Sequence, residues 1–298
     1  MTIATPSLPA AQPVKAAIWM LGAISAFSSM AIAGRALGPL HDTFEIMMYR
    51  SLIGLVLVVM VGGLLGTLLE VNTRLFHIHL ARNIFHFTGQ NLWFYAVTVI
   101  PLAQVFALEF TSPLWVTLFA PLILGERLTR VRTLAALLGF IGILIVARPG
   151  AGELNMGVIT GATAALGFAG AILFTKLLTR TATITCILFW LTAQQVVFGV
   201  VCAGWDGDIA LPSAASAPWL LVVGCAGLIA HLCMTNALKI APATVVVPFD
   251  FLRLPLIAVV GMVFYGEALD LFIILGALLI FAANFMNVWN ETRPVTVS

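Results

Sequence analysis

The sequence predicts an all-α integral membrane protein: ten transmembrane helices forming two inverted-topology five-helix repeats around a central cavity. Three observations lead there. Hydrophobic residues make up 61% of the chain and charged residues 9%, where a soluble domain carries about 25% charged, and the mean hydropathy is +1.10. Ten apolar runs reach the roughly 20 residues needed to cross a hydrocarbon layer of about 30 Å, leaving no soluble domain over. The second half of the chain repeats the first at an offset of 141 positions.

The elements follow in order. Span one, 15–37, opens at Lys15 and holds "AIA" at 31–33, features shared with a cleavable signal peptide; its likeness to a later segment keeps it as helix one. Span two, 43–66, contains "LIGLVLVVMVGGLL" (52–65), apolar on every side. Barrel strands alternate apolar and polar residues, and lipid tolerates no unpaired backbone, so this run is a helix. Glu45 lies toward its outer end, with Tyr49 and Arg50 deeper.

Span three, 76–98, carries Trp93 and the polar Gln90, Asn91 and Tyr95. Span four, 102–124, contains Glu109 and Pro113; span five, 131–148, is rich in glycine and alanine. Spans six to eight cover 155–178, 183–203 and 216–238, the last with His231 and Asn236. Span nine, 243–265, contains Asp250, Arg253 and Pro255, and span ten covers 269–289. Residues 15–148 and 155–289 thus form two repeats, with tails at 1–14 and 290–298.

Positive-inside counting with a cytoplasmic N-terminus places Lys15, Arg74, Arg127, Arg130, Arg132, Lys176, Arg180, Lys239 and Arg293 inside. Arg35 and Arg148 fall outside. Both termini are therefore expected in the cytoplasm.

The repeat lays "ILGERL" (123–128) on "FYGEAL" (264–269), so that Gly125 and Glu126 meet Gly266 and Glu267. The same offset puts Pro101 on Pro242, Phe110 on Phe251 and Glu109 on Asp250; "LGAISAF" (21–27) resembles "TGATAAL" (160–166) at an offset of 139. Five helices per repeat is an odd number, so the second copy crosses the membrane in the opposite sense, as in secondary transporters with one midplane site.

Residues 101–150, "PLAQVFALEFTSPLWVTLFAPLILGERLTRVRTLAALLGFIGILIVARPG", and 241–269, "APATVVVPFDFLRLPLIAVVGMVFYGEAL", resemble the EamA family of the drug/metabolite transporter superfamily. The resemblance covers nearly the whole chain and includes the paired "GE". It implies ten helices, cytoplasmic termini, residence in the bacterial inner membrane and export of small metabolites, often amino acids. In size and layout the chain is similar to exporters of aromatic and other amino acids. S-adenosylmethionine, other nucleoside-like metabolites and drugs are the alternative substrates.

An unpaired charge at the bilayer centre costs at least about 2.5–3.5 kcal/mol. Asp250 and Arg253, three positions apart, share a helix face and neutralise one another, either as an internal staple or as part of a substrate site. A zwitterionic amino acid would match Arg253 with its carboxylate, and Asp250 or Glu109 with its ammonium. Pro113 and Pro255 free the carbonyls of Glu109 and Phe251 and bend their helices. Those prolines, with Glu126 and Glu267 at opposite membrane surfaces, are candidate hinges or gates.

Arg50 either lines the cavity with Tyr49 or pairs with Glu45 or Glu109. Gln90, Asn91 and Tyr95 fall opposite His231, Leu232 and Asn236 at the common offset, as cavity lining or as interhelical hydrogen bonds. Trp93 either stacks on a substrate ring or packs between helices.

Several function classes are excluded or disfavoured. No basic stripe suits nucleic acid; the four cysteines form no C-x-x-C pair and the five histidines no H-E-x-x-H, so neither metal nor cofactor is expected. No G-x-x-x-x-G-K-[ST] supplies an ATP site. An intramembrane enzyme using Glu109 and Asp250 as a carboxylate pair lacks a G-x-G-D stretch. The expected partners are a small-molecule substrate and the bilayer, with the small residues of spans five and ten offering a packing or homodimer seam.

Overall fold

The computed structural model describes residues 12–124, 130–147, 155–205, 207–241, 246, 249–250, 253–268 and 270–292. Among them are eleven α-helices, one 3-10 turn at Thr67–Glu70 and no strand. We number the helices α1 (Pro13–Leu37), α2 (Thr43–Leu64), α3 (Phe76–Val99), α4 (Leu102–Glu109), α5 (Ser112–Leu124) and α6 (Arg130–Ala147) in the first half. The second half holds α7 (Met156–Leu178), α8 (Ile184–Ala203), α9 (Ala217–Ile240), α10 (Arg253–Tyr265) and α11 (Leu271–Thr292).

Among the described residues, six stretches are long and apolar enough to cross a membrane: Val14–Leu37, Thr43–Leu64, Leu102–Leu124, Met156–Leu178, Ile184–Ala203 and Ala217–Ile240. α3 has the length but is interrupted by Arg82, Asn83, His86, Gln90 and Asn91, all buried. Shorter apolar stretches lie in α6, α10 and α11. The protein is therefore an all-helical, multi-pass membrane protein.

The internal repeat reappears in where the helices start. α2 and α8, α3 and α9, α5 and α10, and α6 and α11 each begin at residues separated by the same 141 positions. Their caps correspond too: the Asp42 carboxylate accepts from the Glu45 N–H at the start of α2, and the Thr183 hydroxyl accepts from the Cys186 N–H at the start of α8. Glu45 reaches back to the Asp42 N–H and completes a capping box.

The fourth span is not one kinked helix. It breaks at Phe110 and Thr111, and Pro113 stands in the first turn of α5, where its missing N–H costs nothing. The Glu109 carbonyl accepts instead from the Ser112 hydroxyl at 2.6 Å, and the Leu108 carbonyl from the Thr111 hydroxyl at 2.8 Å. Serine and threonine thus restore the bonds that proline removes inside a membrane. Pro255 likewise falls in the first turn of α10.

The largest helix interfaces all join one half to the other: α3 with α7, α1 with α9, α6 with α11 and α2 with α8. Exchanging each helix for its counterpart maps the α1/α9 contact onto α7/α3 and the other two onto themselves. The α3/α7 seam depends on Gly89 and Gly167. A Cβ on Gly167 would lie 2.7 Å from both the Gly89 Cα and the Phe85 carbonyl oxygen, which are backbone atoms that cannot swing aside. Gly167→Val should therefore cost about 3 kcal/mol or more, read as a fall in melting temperature in detergent. Gly63→Ala, whose Cβ meets only Leu68 at 3.7 Å, should leave the melt unchanged.

Candidate functional site

A small cavity of ≈ 50 Å³ lies where α1, α3, α7 and α9 meet, at the two repeat-related seams. Much of its wall obeys the repeat. Phe27 and Phe168, Met30 and Ala171, Gln90 and His231, and Trp93 and Met234 are four pairs at the 141-residue offset, and all eight line it. The rest breaks the symmetry: Arg82, His86, Ile172, Thr175 and Thr235 also line the cavity. In the other half Val223 and Gly227 stand at the places of Arg82 and His86.

On α3 the spacing of Arg82, His86, Gln90 and Trp93 is four, four and three residues, one face of a helix. Arg82 Nε donates to the Thr175 hydroxyl at 3.0 Å and Nη1 to Asn83 Oδ1 at 2.7 Å. Gln195 Nε2 donates to His86 Nδ1 at 2.5 Å, and the His86 and His231 rings meet edge to face with centroids 4.5 Å apart. Behind this wall Arg50 Nη1 donates to Gln90 Oε1 and Gln195 Oε1, each at 3.4 Å. Gly227 makes room for it, since a Cβ there would fall 2.5 Å from Arg50 Nε.

A second charged cluster abuts the cavity without lining it. Arg253 Nη2 donates to Glu109 Oε1 at 2.5 Å and to Asp250 Oδ2 at 2.6 Å. The Trp93 indole, which does line the cavity, donates to Glu109 Oε2 at 2.7 Å. The Arg253 guanidinium carbon sits 4.7 Å from the Phe106 ring centroid, 5.1 Å from Phe27 and 5.8 Å from Phe110, a cation held by aromatic faces as well as by acids. The expected Asp250–Arg253 pair forms, and the repeat-related Glu109 joins it.

A third cluster caps helix ends. Arg35 pairs with Glu267 and donates to the carbonyls of Val97 at 2.8 Å and Ile100 at 2.5 Å, at the end of α3. Glu267 Oε2 accepts from the Leu102 N–H at the start of α4 at 3.0 Å. In the other repeat Lys176 Nζ donates to the carbonyls of Leu238 at 2.8 Å and Ala241 at 3.1 Å. These three residues stand at the same offset from Arg35, Val97 and Ile100, so each repeat uses a cation to close the end of its third helix. Glu126 lies outside the described residues.

Several expected lining residues are elsewhere. Tyr49 donates its hydroxyl to the Ala210 carbonyl at 2.9 Å, and Tyr95 is 40% exposed beside a surface pocket. Asn91 and Asn236 bond the carbonyls of Phe87 and Leu232 one turn back on their own helices. Arg50 pairs with neither candidate acid: Glu45 accepts from the Ala210 N–H and meets His41, and Glu109 meets Arg253 and Trp93. Arg253 meets both Glu109 and Asp250 through Nη2, while Arg253 Nε and Asp250 Oδ1 are buried without a hydrogen-bond partner.

Arg82, His86, Phe27 and Phe168 were not foreseen. Two signals were present: the four-residue spacing of polar residues on span three, and the 141-residue relation of the two phenylalanines.

Two interlocked sets of apolar helices around an interior cavity are the frame of a multi-pass membrane protein. The EamA-like transporter family matches residues 14–148 and 155–289, and the chain belongs to that family. It is 32% identical over 276 residues to the riboflavin transporter of Brucella anthropi, covering 89% of this chain and 95% of the relative. It is 23% identical over 280 residues to an S-adenosylmethionine uptake transporter of Rickettsia prowazekii, covering 93% and 94%. A solved protein crystal structure overlays 94% of this chain and 99% of its own with a TM-score of 0.68 at 17% identity, a likeness of fold.

The Arg253 cluster makes a stability prediction. Arg253→Gln leaves two buried carboxylates facing each other and should cost about 3–5 kcal/mol in a detergent melt. Adding Glu109→Gln and Asp250→Asn should recover most of that loss. A single variant that melts like the parent would mean the acids are already solvated.

Proposed function

We propose that the protein is a secondary transporter of a planar heteroaromatic metabolite of the flavin kind, and that the cavity between α1, α3, α7 and α9 is its substrate route. The observation that carries this reading is the wall itself: Phe27, Phe168 and Trp93 line it with aromatic rings, while Gln90 and His231 offer hydrogen bonds from repeat-equivalent positions. Aromatic pairs add about 0.5–1.5 kcal/mol beyond area burial, and a few polar groups orient a ligand in such a pocket. The likeness to a riboflavin transporter supports the same substrate class. The amino-acid exporter expectation gives way, since the relatives carry riboflavin and S-adenosylmethionine and Arg253 is already paired with two acids.

The topology we infer is ten spans in two inverted five-helix repeats in the inner membrane, with both termini cytoplasmic. Pairing of every large interface across the repeats supports alternating access, in which one half rocks against the other around a shared site. At ≈ 50 Å³ the cavity has room for a few waters and none for a flavin, so substrate passage requires the helices to separate. Glu267 and Arg35 form a latch on one face; the break at Phe110 and Thr111, beside Pro113, supplies a hinge, and Pro255 in the first turn of α10 marks a second.

Purified protein in liposomes should take up riboflavin saturably, and Phe168→Ala should raise KM about three- to tenfold with a smaller change in turnover. Absence of flavin flux from folded protein, with flux of S-adenosylmethionine or an amino acid instead, would overturn the assignment. In the same liposomes Glu267→Gln should change KM and turnover together, as gate variants do; unaltered flux would reduce the latch to a helix cap.

A further inference from the structure

Among the described residues, Arg35, Arg50, Arg82 and Arg253 have side-chain partners inside this fold, and they divide into two kinds. Arg253 meets two carboxylates and Arg35 meets one. Arg50 and Arg82 are 4% and 2% exposed, and among the described residues neither meets an acid. Their partners are neutral oxygens: Gln90 and Gln195 for Arg50, Thr175 and Asn83 for Arg82. Dipoles soften a buried charge but do not neutralise it, and a guanidinium does not escape by losing its proton.

The neighbourhood keeps the same sign. The titratable groups lining the cavity are Arg82, His86 and His231, and none is acidic. Glu45 and Glu109 are engaged elsewhere, by the Ala210 N–H and His41, and by Arg253 and Trp93. Donor capacity is also left over: Arg50 Nε, His231 Nε2 and Gln194 Nε2 are buried without a hydrogen-bond partner. Natural proteins leave few such groups unmet, and those that remain call for an explanation.

We propose that this basic end of the cavity binds an oxyanion, a phosphate or carboxylate carried by the substrate, with Arg82 as its fork and the paired His86 and His231 rings next along the wall. The proposal rests on the flavin-class reading above and narrows it to ring compounds bearing a negative charge. Along α3, Arg82 and Trp93 are eleven residues apart, about 16 Å at 1.5 Å per residue, so a ring stacked near Trp93 leaves its charged substituent to reach Arg82. A guanidinium presents paired N–H groups that match phosphate and carboxylate oxygens, and closing one bond to a charged group inside a dry site is worth about tenfold or more in affinity.

The test is ligand binding to purified full-length protein in detergent, read by thermal shift and by quenching of tryptophan fluorescence. The ligands are riboflavin, riboflavin 5′-phosphate, folate and orthophosphate, which separate a neutral ring, a phosphate on a ring, carboxylates on a ring and a free phosphate. We expect riboflavin 5′-phosphate or folate to bind at least about tenfold more tightly than riboflavin. That preference should vanish in Arg82→Gln while riboflavin affinity changes less than about threefold. Should Arg82→Gln not fold, the parent protein still decides: added orthophosphate should weaken the charged ligands and spare riboflavin. Equal binding of riboflavin and its phosphate, or a preference that survives Arg82→Gln, would overturn the oxyanion site while leaving flavin transport intact. Folate binding that depends on Arg82, with no flavin binding or flux at all, would keep the oxyanion site and remove the flavin reading.

Discussion

Everything in this fold depends on how the two halves lock together. No large helix interface lies within a repeat: α1 packs on α9, α3 on α7, α2 on α8 and α6 on α11. Lipid tails are as apolar as leucine, so helices in a membrane associate through close van der Waals contact at small residues. Gly89 against Gly167 is the tightest such place beside the cavity. The exchange puts a wall from each repeat on both sides of one cavity, which is why Gln90 and His231 face the same space from equivalent positions. Separating the halves would open the cavity, and nothing within one repeat could enclose it alone.

Within that frame, charge is managed in three ways. Arg253 is neutralised by acids from both repeats, Glu109 and Asp250, and lies among phenylalanine rings. Arg35 and Lys176 spend their donors on the carbonyls that end α3 and α9. Arg50 and Arg82 keep their charge beside the cavity. The first two arrangements consolidate the fold; the third leaves an unmet electrostatic demand at the place where a substrate would pass.

Six of the spans and the repeat were legible because lipid imposes simple rules: long apolar runs, satisfied backbone, and duplication visible at a constant offset. The Arg253 cluster was half legible, since the three-residue spacing pairs it with Asp250 and the repeat places Glu109 as its equivalent. Which side of those acids the cavity occupies was not legible, because it follows from helix rotation. Arg82 and His86 escaped notice because they have no acidic partner to announce them, and Arg35 because backbone carbonyls leave no mark in a sequence. The break before Pro113 was read as a bend; the hydroxyls of Thr111 and Ser112 allow the chain to go further and interrupt the helix.

The departure from symmetry at Arg82 and His86, where the other repeat has Val223 and Gly227, gives the cavity a head and a tail. A guest with one charged end can settle there in one orientation. It would therefore cross the membrane in that orientation, with the same end in front on entry and on exit. The two halves of the cycle would then differ in rate even though the scaffold that executes them is nearly the same structure turned over.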